Sequence, residues 1–249
     1  MRIAILSDIH GNLEALEAVL AEAKSRGYDH LVCLGDVVGY GADPQACVDR
    51  IREEVWRDIG GEYIVKGNHD DAASGGDDTY FNKDAQRAVR WTHDQLRPES
   101  VEWLANLPME RTIGPDVYLV HASPDDPGAW NYVVNLSDAF VAFHNFSEKI
   151  CFIGHSHVPF HVFVNGQESE IHIEPSETLE LKEGFRYLSN VGSVGQPRDG
   201  DPRGSYVILD RERGILERFR VEYDVERAAS KILAAGLPEF LANRLSRGR

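Results

Sequence analysis

Apolar residues along this chain fall in short runs, and five of those runs end on a polar cluster. The runs Arg2–Ser7, His30–Leu34, Tyr63–Lys66, Val117–Val120 and Lys149–Ile153 are rich in Ile, Val, Leu and aromatic residues. They are too short for helices and apolar enough to be buried, so each predicts a strand. After the first, Leu13, Leu16, Val19, Leu20 and Ala23 recur at helical spacing, and Gly27 supplies a stop. Pro44 opens a second helical pattern through about Val55, with Cys47, Val48 and Ile51 on one face. This order predicts a β-α-β-α-β unit on a parallel sheet.

Helical patterns follow at about Asp84–Leu96, Ser100–Asn106 and Asp138–Phe146, while Asp70–Asp78 reads as a loop. The second half has a different texture. Segments near His161–Val164, Glu170–Glu174, Arg186–Asn190, Ser205–Leu209 and Leu216–Glu222 are short, turn-bounded and partly alternating, which predicts an antiparallel set. The tail from Val225 to Leu245 reads as two helices broken at Gly236-Leu237-Pro238. The expected fold class is α/β (α+β), with two sheets packed face to face and helices outside. With no internal repeat and no long linker, residues 1–249 are expected to form one domain.

Composition narrows the function classes. A chain of 249 residues that is 42% hydrophobic builds a core without disulfide support. A formal charge of −15 disfavours non-specific nucleic-acid and anionic-membrane binding. It does not exclude a phosphate substrate, because bound cations dominate the field inside a site. Three cysteines cannot all pair, and Cys33 and Cys151 fall inside predicted strands, so they read as buried apolar residues in a reducing compartment. No stretch approaches 18 apolar residues and no signal-peptide pattern opens the chain, which makes a cytoplasmic protein the expectation.

The polar clusters are Asp8-Ile9-His10, Gly35-Asp36, Gly67-Asn68-His69-Asp70, His121 and Gly154-His155-Ser156-His157. Each alone has an ordinary reading as a cap or a turn. Together they deliver carboxylates, an amide and imidazoles to the carboxyl ends of strands, where open α/β sheets collect ligands. A mixed oxygen and nitrogen set without thiolate suits manganese, iron or zinc. The donors outnumber what one ion needs, so two ions sharing a carboxylate fit better.

This series of motifs resembles the calcineurin-like metallophosphoesterases: Asp-x-His, Gly-Asp, Gly-Asn-His-Asp, a strand-end His, then Gly-His-x-His. The match runs from Met1 to about Tyr206 and looks nearest to a small bacterial and archaeal phosphodiesterase-like branch, related to diadenosine tetraphosphatases and serine/threonine phosphatases. The resemblance implies a four-layer sandwich of two mixed sheets between helices. It also implies that Asp8, His10 and His157 hold one ion, that Asp36 bridges, and that Asn68, His121 and His155 complete the second. His69 is then the group that protonates or stabilises the leaving oxygen, with Asp70 orienting its ring.

The implied reaction is attack on phosphorus by a metal-bridging hydroxide, between cations about 3.5–4 Å apart. A haloacid-dehalogenase pattern would need Asp where His10 stands, and the His-x-His-x-Asp-His run of metallo-β-lactamases is absent. The segment Asn190-Val191-Gly192-Ser193 resembles a family loop that usually reads Asn-Pro-Gly-Ser. Val191 leaves an extra backbone N–H there and a less rigid approach. Arg198 and Arg203 are candidate phosphate clamps; the alternative for each is a loop arginine paired with Asp199 or Asp201. Trp130 is a candidate leaving-group contact, Tyr40 a candidate rim residue, and the 70–78 loop a candidate lid.

The leading expectation is a phosphodiesterase or phosphomonoesterase. Its runners-up are a serine/threonine protein phosphatase and a dinucleoside-polyphosphate hydrolase. A non-catalytic interaction scaffold is the alternative of another class, disfavoured because His69 accompanies a complete donor set. The expected partner is a phosphoester substrate, with no membrane association. The apolar content of the C-terminal helices permits a dimer without requiring one.

Overall fold

The computed structural model describes residues 1–56, 63–165 and 170–249. Its first half alternates as the periodicity predicts: β1 (Arg2–Leu6), α1 (Leu13–Arg26), β2 (His30–Cys33) and α2 (Pro44–Trp56). Helix α1 begins where the Asn12 side chain accepts the Ala15 N–H, and it ends at Gly27, whose φ of 78° favours glycine. Then come α3 (Asn68–Ala73), α4 (Lys83–Gln95), α5 (Pro98–Ala105), the hairpin β3 (Glu110–Ile113) and β4 (Val117–Val120), α6 (Leu136–Phe143) and β5 (Ile150–Ile153). The remaining strands are β6 (Phe160–Asn165), β7 (Ile171–Glu174), β8 (Thr178–Glu180), β9 (Phe185–Asn190), β10 (Gly204–Asp210) and β11 (Ile215–Val221). Helices α7 (Val225–Ala234) and α8 (Glu239–Asn243) follow.

Two expectations need correction. The run Tyr63–Lys66 forms only a single parallel bridge, Ile64 to Cys33, because the Lys66 N–H turns away to the Pro108 carbonyl. Residues Asp70–Ala73 are not loop: α3 begins at Asn68, and the Asp70 carboxylate accepts the Gly67 N–H as its cap.

One sheet has the order β2-β1-β10-β11-β8 and the other β3-β4-β5-β9-β6-β7. β1 runs parallel to β2, and β4, β5 and β9 are mutually parallel, while the later strands pair antiparallel. Alternation along each strand sorts side chains between layers. Ile3, Ile5, Val207 and Leu209 meet Val117, Leu119, Ile150 and Phe152 between the sheets. Ala4 and Leu6 face the other way, onto Leu16, Val19, Val48 and Ile51 of α1 and α2. Val120, Cys151 and Ile153 face Ala139 and Phe143 of α6. The result is a four-layer sandwich. The cysteines are all free and buried, as expected. No helix among the described residues is long and apolar enough to cross a membrane.

This topology positions the site. Backbone bonds zip the loops after β1 and β2 together: Asp8 N–H to Gly35 O at 3.0 Å and His10 N–H to Asp36 O at 2.8 Å. Across the sheets, the His155 N–H donates to Asp8 Oδ2 at 3.0 Å and His121 Nδ1 donates to Leu34 O at 2.7 Å.

Candidate metal centre

Five of the expected donors sit on backbone with positive φ: Asp8 (56°), His10 (52°), Asp36 (51°), His155 (64°) and His157 (61°). Non-glycine residues rarely occupy this left-handed region, and its cost is tolerated where surrounding structure enforces it. Here the enforcement is the cross-bonding of the strand-end loops.

The donor atoms converge. Ligand atoms of Asp8, His10, Asp36 and His157 all lie within 4.8 Å of one another, as do those of Asp36, His121 and His155. Asp36 belongs to both groups. Its Oδ2 stands 3.5 Å from His10 Nε2 and 3.4 Å from His121 Nε2, and Asp8 Oδ1 stands 3.1 Å from His157 Nε2. The Nε2 atoms of His10 and His157 face each other at 3.0 Å.

What the rest of each side chain does explains the aim. Asp36 Oδ1 accepts the His69 N–H at 2.8 Å, and Asp8 Oδ2 accepts the His155 N–H, which leaves one oxygen of each carboxylate facing the centre. Nδ1 of His157 donates to Gln196 O at 2.6 Å, so its lone pair lies on Nε2, as does that of His121. Asp8 Oδ1, Asp36 Oδ2, Asn68 Oδ1, His121 Nε2 and His155 Nε2 are buried without a hydrogen-bond partner. Buried polar atoms are rarely left so, and a cluster of oxygen and nitrogen donors aimed at one point is a set that divalent cations could satisfy. The donor set therefore fits two divalent ions.

Electrostatics agrees with that reading. Burial alone would raise Asp8 and Asp36, but adjacent imidazoles, His157 for the first and His121 for the second, hold both below the usual carboxylate range. Burial first, then the His121 imidazole for one and Arg198 for the other, pushes His155 down to about 4 and His157 down to about 3. Against its burial, His121 is held up at about 9 by the Asp36 carboxylate, so it gives up a proton when a cation takes its Nε2. Burial also holds His69 well below the ordinary imidazole value, with Asp36 opposing. A ring so lowered is neutral at pH 7.

Residues 1–214 match the calcineurin-like phosphoesterase superfamily domain. The chain belongs to that family. It is 42% identical over 253 residues to an uncharacterised protein of Methanocaldococcus jannaschii, covering 99% of this chain and 98% of that one. The structure of a metallophosphoesterase from Sphaerobacter thermophilus superposes with a TM-score of 0.85 at 40% identity, covering all of both chains. A hypothetical protein from Pyrococcus horikoshii OT3 shares the fold, with a TM-score of 0.81 at 19% identity over 100% of this chain and 98% of that one.

Around the centre of this phosphoesterase, a pocket is bordered by Asp36, Asn68, His69, His155 and His157. Its mouth is aromatic: Tyr40, Tyr80, Phe81, Trp130 and Tyr132. Phe81 stacks on His69 with centroids 4.6 Å apart, and Tyr132 stacks on His155 at 4.1 Å. Trp130 is held at a φ of 56°, a further left-handed backbone at the rim. The sequence singled out Tyr40 and Trp130 but missed Tyr80, Phe81 and Tyr132, which carry no motif.

Three expectations change. Asp70 does not orient the His69 ring, because its oxygens accept the N–H groups of Gly67 and Val38 at 3.1 and 3.2 Å. Arg203 is exposed and paired with Asp201, Nη2 to Oδ2 at 2.6 Å, and does not border the pocket. The 70–78 segment also stays off the pocket, whose wall is Tyr80, Phe81 and Asn82. Arg198 does reach it: Nη2 donates to Gln196 Oε1 at 2.9 Å, the guanidinium lies 5.6 Å from the Tyr40 ring centre, and Nε is buried without a partner. The extra N–H of Val191 donates to Ile153 O at 3.0 Å, so the loop is pinned where a proline would leave that carbonyl unmet.

Proposed function

We propose that the chain hydrolyses a small phosphodiester or phosphomonoester at a dinuclear centre of divalent ions. One observation carries the reading: two groups of buried donors share Asp36, whose Oδ2 has no hydrogen-bond partner and lies between His10 and His121. Asp8, His10 and His157 would hold one ion, Asn68, His121 and His155 the other, and Asp36 both. Bound there, paired cations supply Lewis acidity to the phosphoryl oxygens and a water nucleophile ionised near neutral pH.

The chain's own groups do the remainder. Arg198 offers its free N–H donors to a phosphate oxygen, a charge-assisted contact in a half-enclosed pocket. His69, neutral and clamped by Phe81, donates a hydrogen bond to the departing oxygen and sets its geometry. The aromatic mouth excludes water and favours a small ester with a planar leaving group over a folded phosphoprotein. Only one guanidinium borders the pocket among the described residues, which disfavours a long polyphosphate chain.

The test is release of nitrophenol from mono- and bis(p-nitrophenyl) phosphate by protein loaded with manganese. Turnover abolished by chelator and restored by the ion supports the proposal. No turnover with manganese, iron or zinc would point to the scaffold alternative.

A further inference from the structure

Helix α6 has the sequence Leu-Ser-Asp-Ala-Phe-Val-Ala-Phe and is apolar on both sides. Ala139, Ala142 and Phe143 face the core, as an amphipathic helix requires. Its outer face then presents Leu136, Phe140 and Val141 to solvent, where polar residues belong. A short helix that is apolar all round is one that is covered on both sides.

The outer face of α6 is continuous with other exposed apolar residues. Val134 and Leu136 share a groove with Val158 and Ile173, and its floor is Phe160 and Val162 of β6. A second depression joins Leu136, Phe140 and Val141 to Ile171, two residues from Ile173 on the same face of β7. The exposures are 65% for Val134, 44% for Leu136, 50% for Phe140, 44% for Val141, 39% for Val158 and 62% for Ile173. With Tyr132 these are seven of the ten exposed large hydrophobic side chains among the described residues, so the surface apolarity is concentrated on one face.

We propose that this face of α6 and β7 is the interface of a two-fold symmetric dimer, each copy covering the other's patch. Area favours a second copy. Side chains exposed to this degree present about 60–120 Å² apiece, hence on the order of 600 Å² per copy, at the upper limit of the largest patch on a typical monomer. Two such faces packed together remove on the order of 1,200 Å², which reaches the size class of specific protein interfaces. A self-complementary patch satisfies the isologous contact that a two-fold axis demands.

Charge and topology agree. In a chain of net charge −15, self-association is tolerable only where like charges are kept apart. Within α6 the one charged side chain is Asp138, whose Oδ2 is already engaged by the Val134 and Asn135 N–H groups. β7 is the edge of its sheet, with Ile173 outward, and its one carboxylate, Glu174, at the end of the strand, already accepts the Ser176 N–H at 2.9 Å. Tyr132 lies at the end of the patch and also borders the metal pocket, so a dimer built here would place the second copy beside the pocket mouth. The interface is independent of the chemistry proposed for that pocket.

The experiment is sedimentation velocity with light scattering on the full chain, wild type and variants, at about 1–100 μM. Wild type should show twice the chain mass of 27.9 kDa. Phe140→Glu on α6 and Ile173→Glu on β7, both at solvent-exposed positions, should each weaken dimerisation by about 30-fold or more, as interface hot spots do. Leu233→Glu, equally exposed on α7 but off the patch, should leave the dimer intact. Circular dichroism of each variant separates loss of association from loss of fold. A wild-type protein of 27.9 kDa throughout this range overturns the proposal. So does a dimer that both patch variants retain.

Discussion

The backbone N–H of His69 donates to Oδ1 of Asp36 at 2.8 Å, and that bond decides which oxygen of Asp36 faces the metal groups. The first turn of α3 thus works in two directions. Its N–H orients the shared carboxylate from one side, and its side chains Asn68 and His69 border the pocket from the other. Any change that lifts this turn from the β2 loop should disturb metal and leaving-group chemistry together.

Gly67 is where that lift is easiest to impose. A Cβ there would collide with the side chain and backbone nitrogen of Asp36, and backbone atoms cannot step aside. Gly67→Ala should destabilise the protein by about 1–3 kcal/mol and weaken metal binding. Denaturant titration with and without manganese checks both effects. Wild-type stability would contradict the close approach of Gly67 to Asp36.

His69→Asn should leave metal content unchanged while lowering turnover by about 10²–10⁴-fold, most for esters with poor leaving groups. Elemental analysis beside a leaving-group series measures this. Emptied sites would instead make His69 a structural support of the metals.

The two arginines should behave oppositely. Arg198→Ala should cut kcat/KM by about 10–100-fold, the value of a charge-assisted contact of about 1.5–3 kcal/mol. Arg203→Ala should change it by less than about twofold, since an exposed pair contributes little. Equal effects on both would contradict the pocket assignment.

His161 is buried outside the metal groups, its Nδ1 2.9 Å from Ser189 Oγ, and burial followed by Arg218 lowers it to about 4. A depressed histidine stays neutral in the fold while the unfolded chain takes up a proton below about 6.5. Its contribution is therefore present above that value and lost as pH falls toward 4. His161→Gln removes this term, so the wild-type stability advantage should shrink by up to about 3 kcal/mol between pH 7 and 4. Denaturation curves of both proteins at the two pH values decide it. A constant difference would mean His161 titrates normally.

Much of this arrangement is legible in the chain because each strand-end cluster follows an apolar run. Asp8 and Asp36 must emerge at one end of their sheet because β1 and β2 are parallel, and His121 and His155 at one end of the other because β4 and β5 are parallel. The left-handed backbone that aims them is not legible, since it comes from bonds such as Asp8 N–H to Gly35 O between distant loops. Asp70 misleads for a related reason. Adjacency to His69 suggests a partner, but on a helix the third residue reaches back to cap the first turn. Arg203 misleads because pairing with Asp201 and facing a phosphate look alike in sequence. Strands β3 and β8 are missed because Glu110, Arg111 and Thr112 lack apolar alternation and Thr178–Glu180 is only three residues long. Tyr132 joins the pocket only through the fold, by stacking on His155.

The dinuclear centre is tested most directly by diffraction from manganese-soaked crystals at the manganese absorption edge. Two anomalous peaks should appear per chain, one beside Asp8, His10 and His157 and one beside Asn68, His121 and His155, with Asp36 Oδ2 ligating both. The same experiment on Asp36→Asn should lose occupancy at both. A single peak in the wild type, or two peaks without Asp36 between them, would contradict the account.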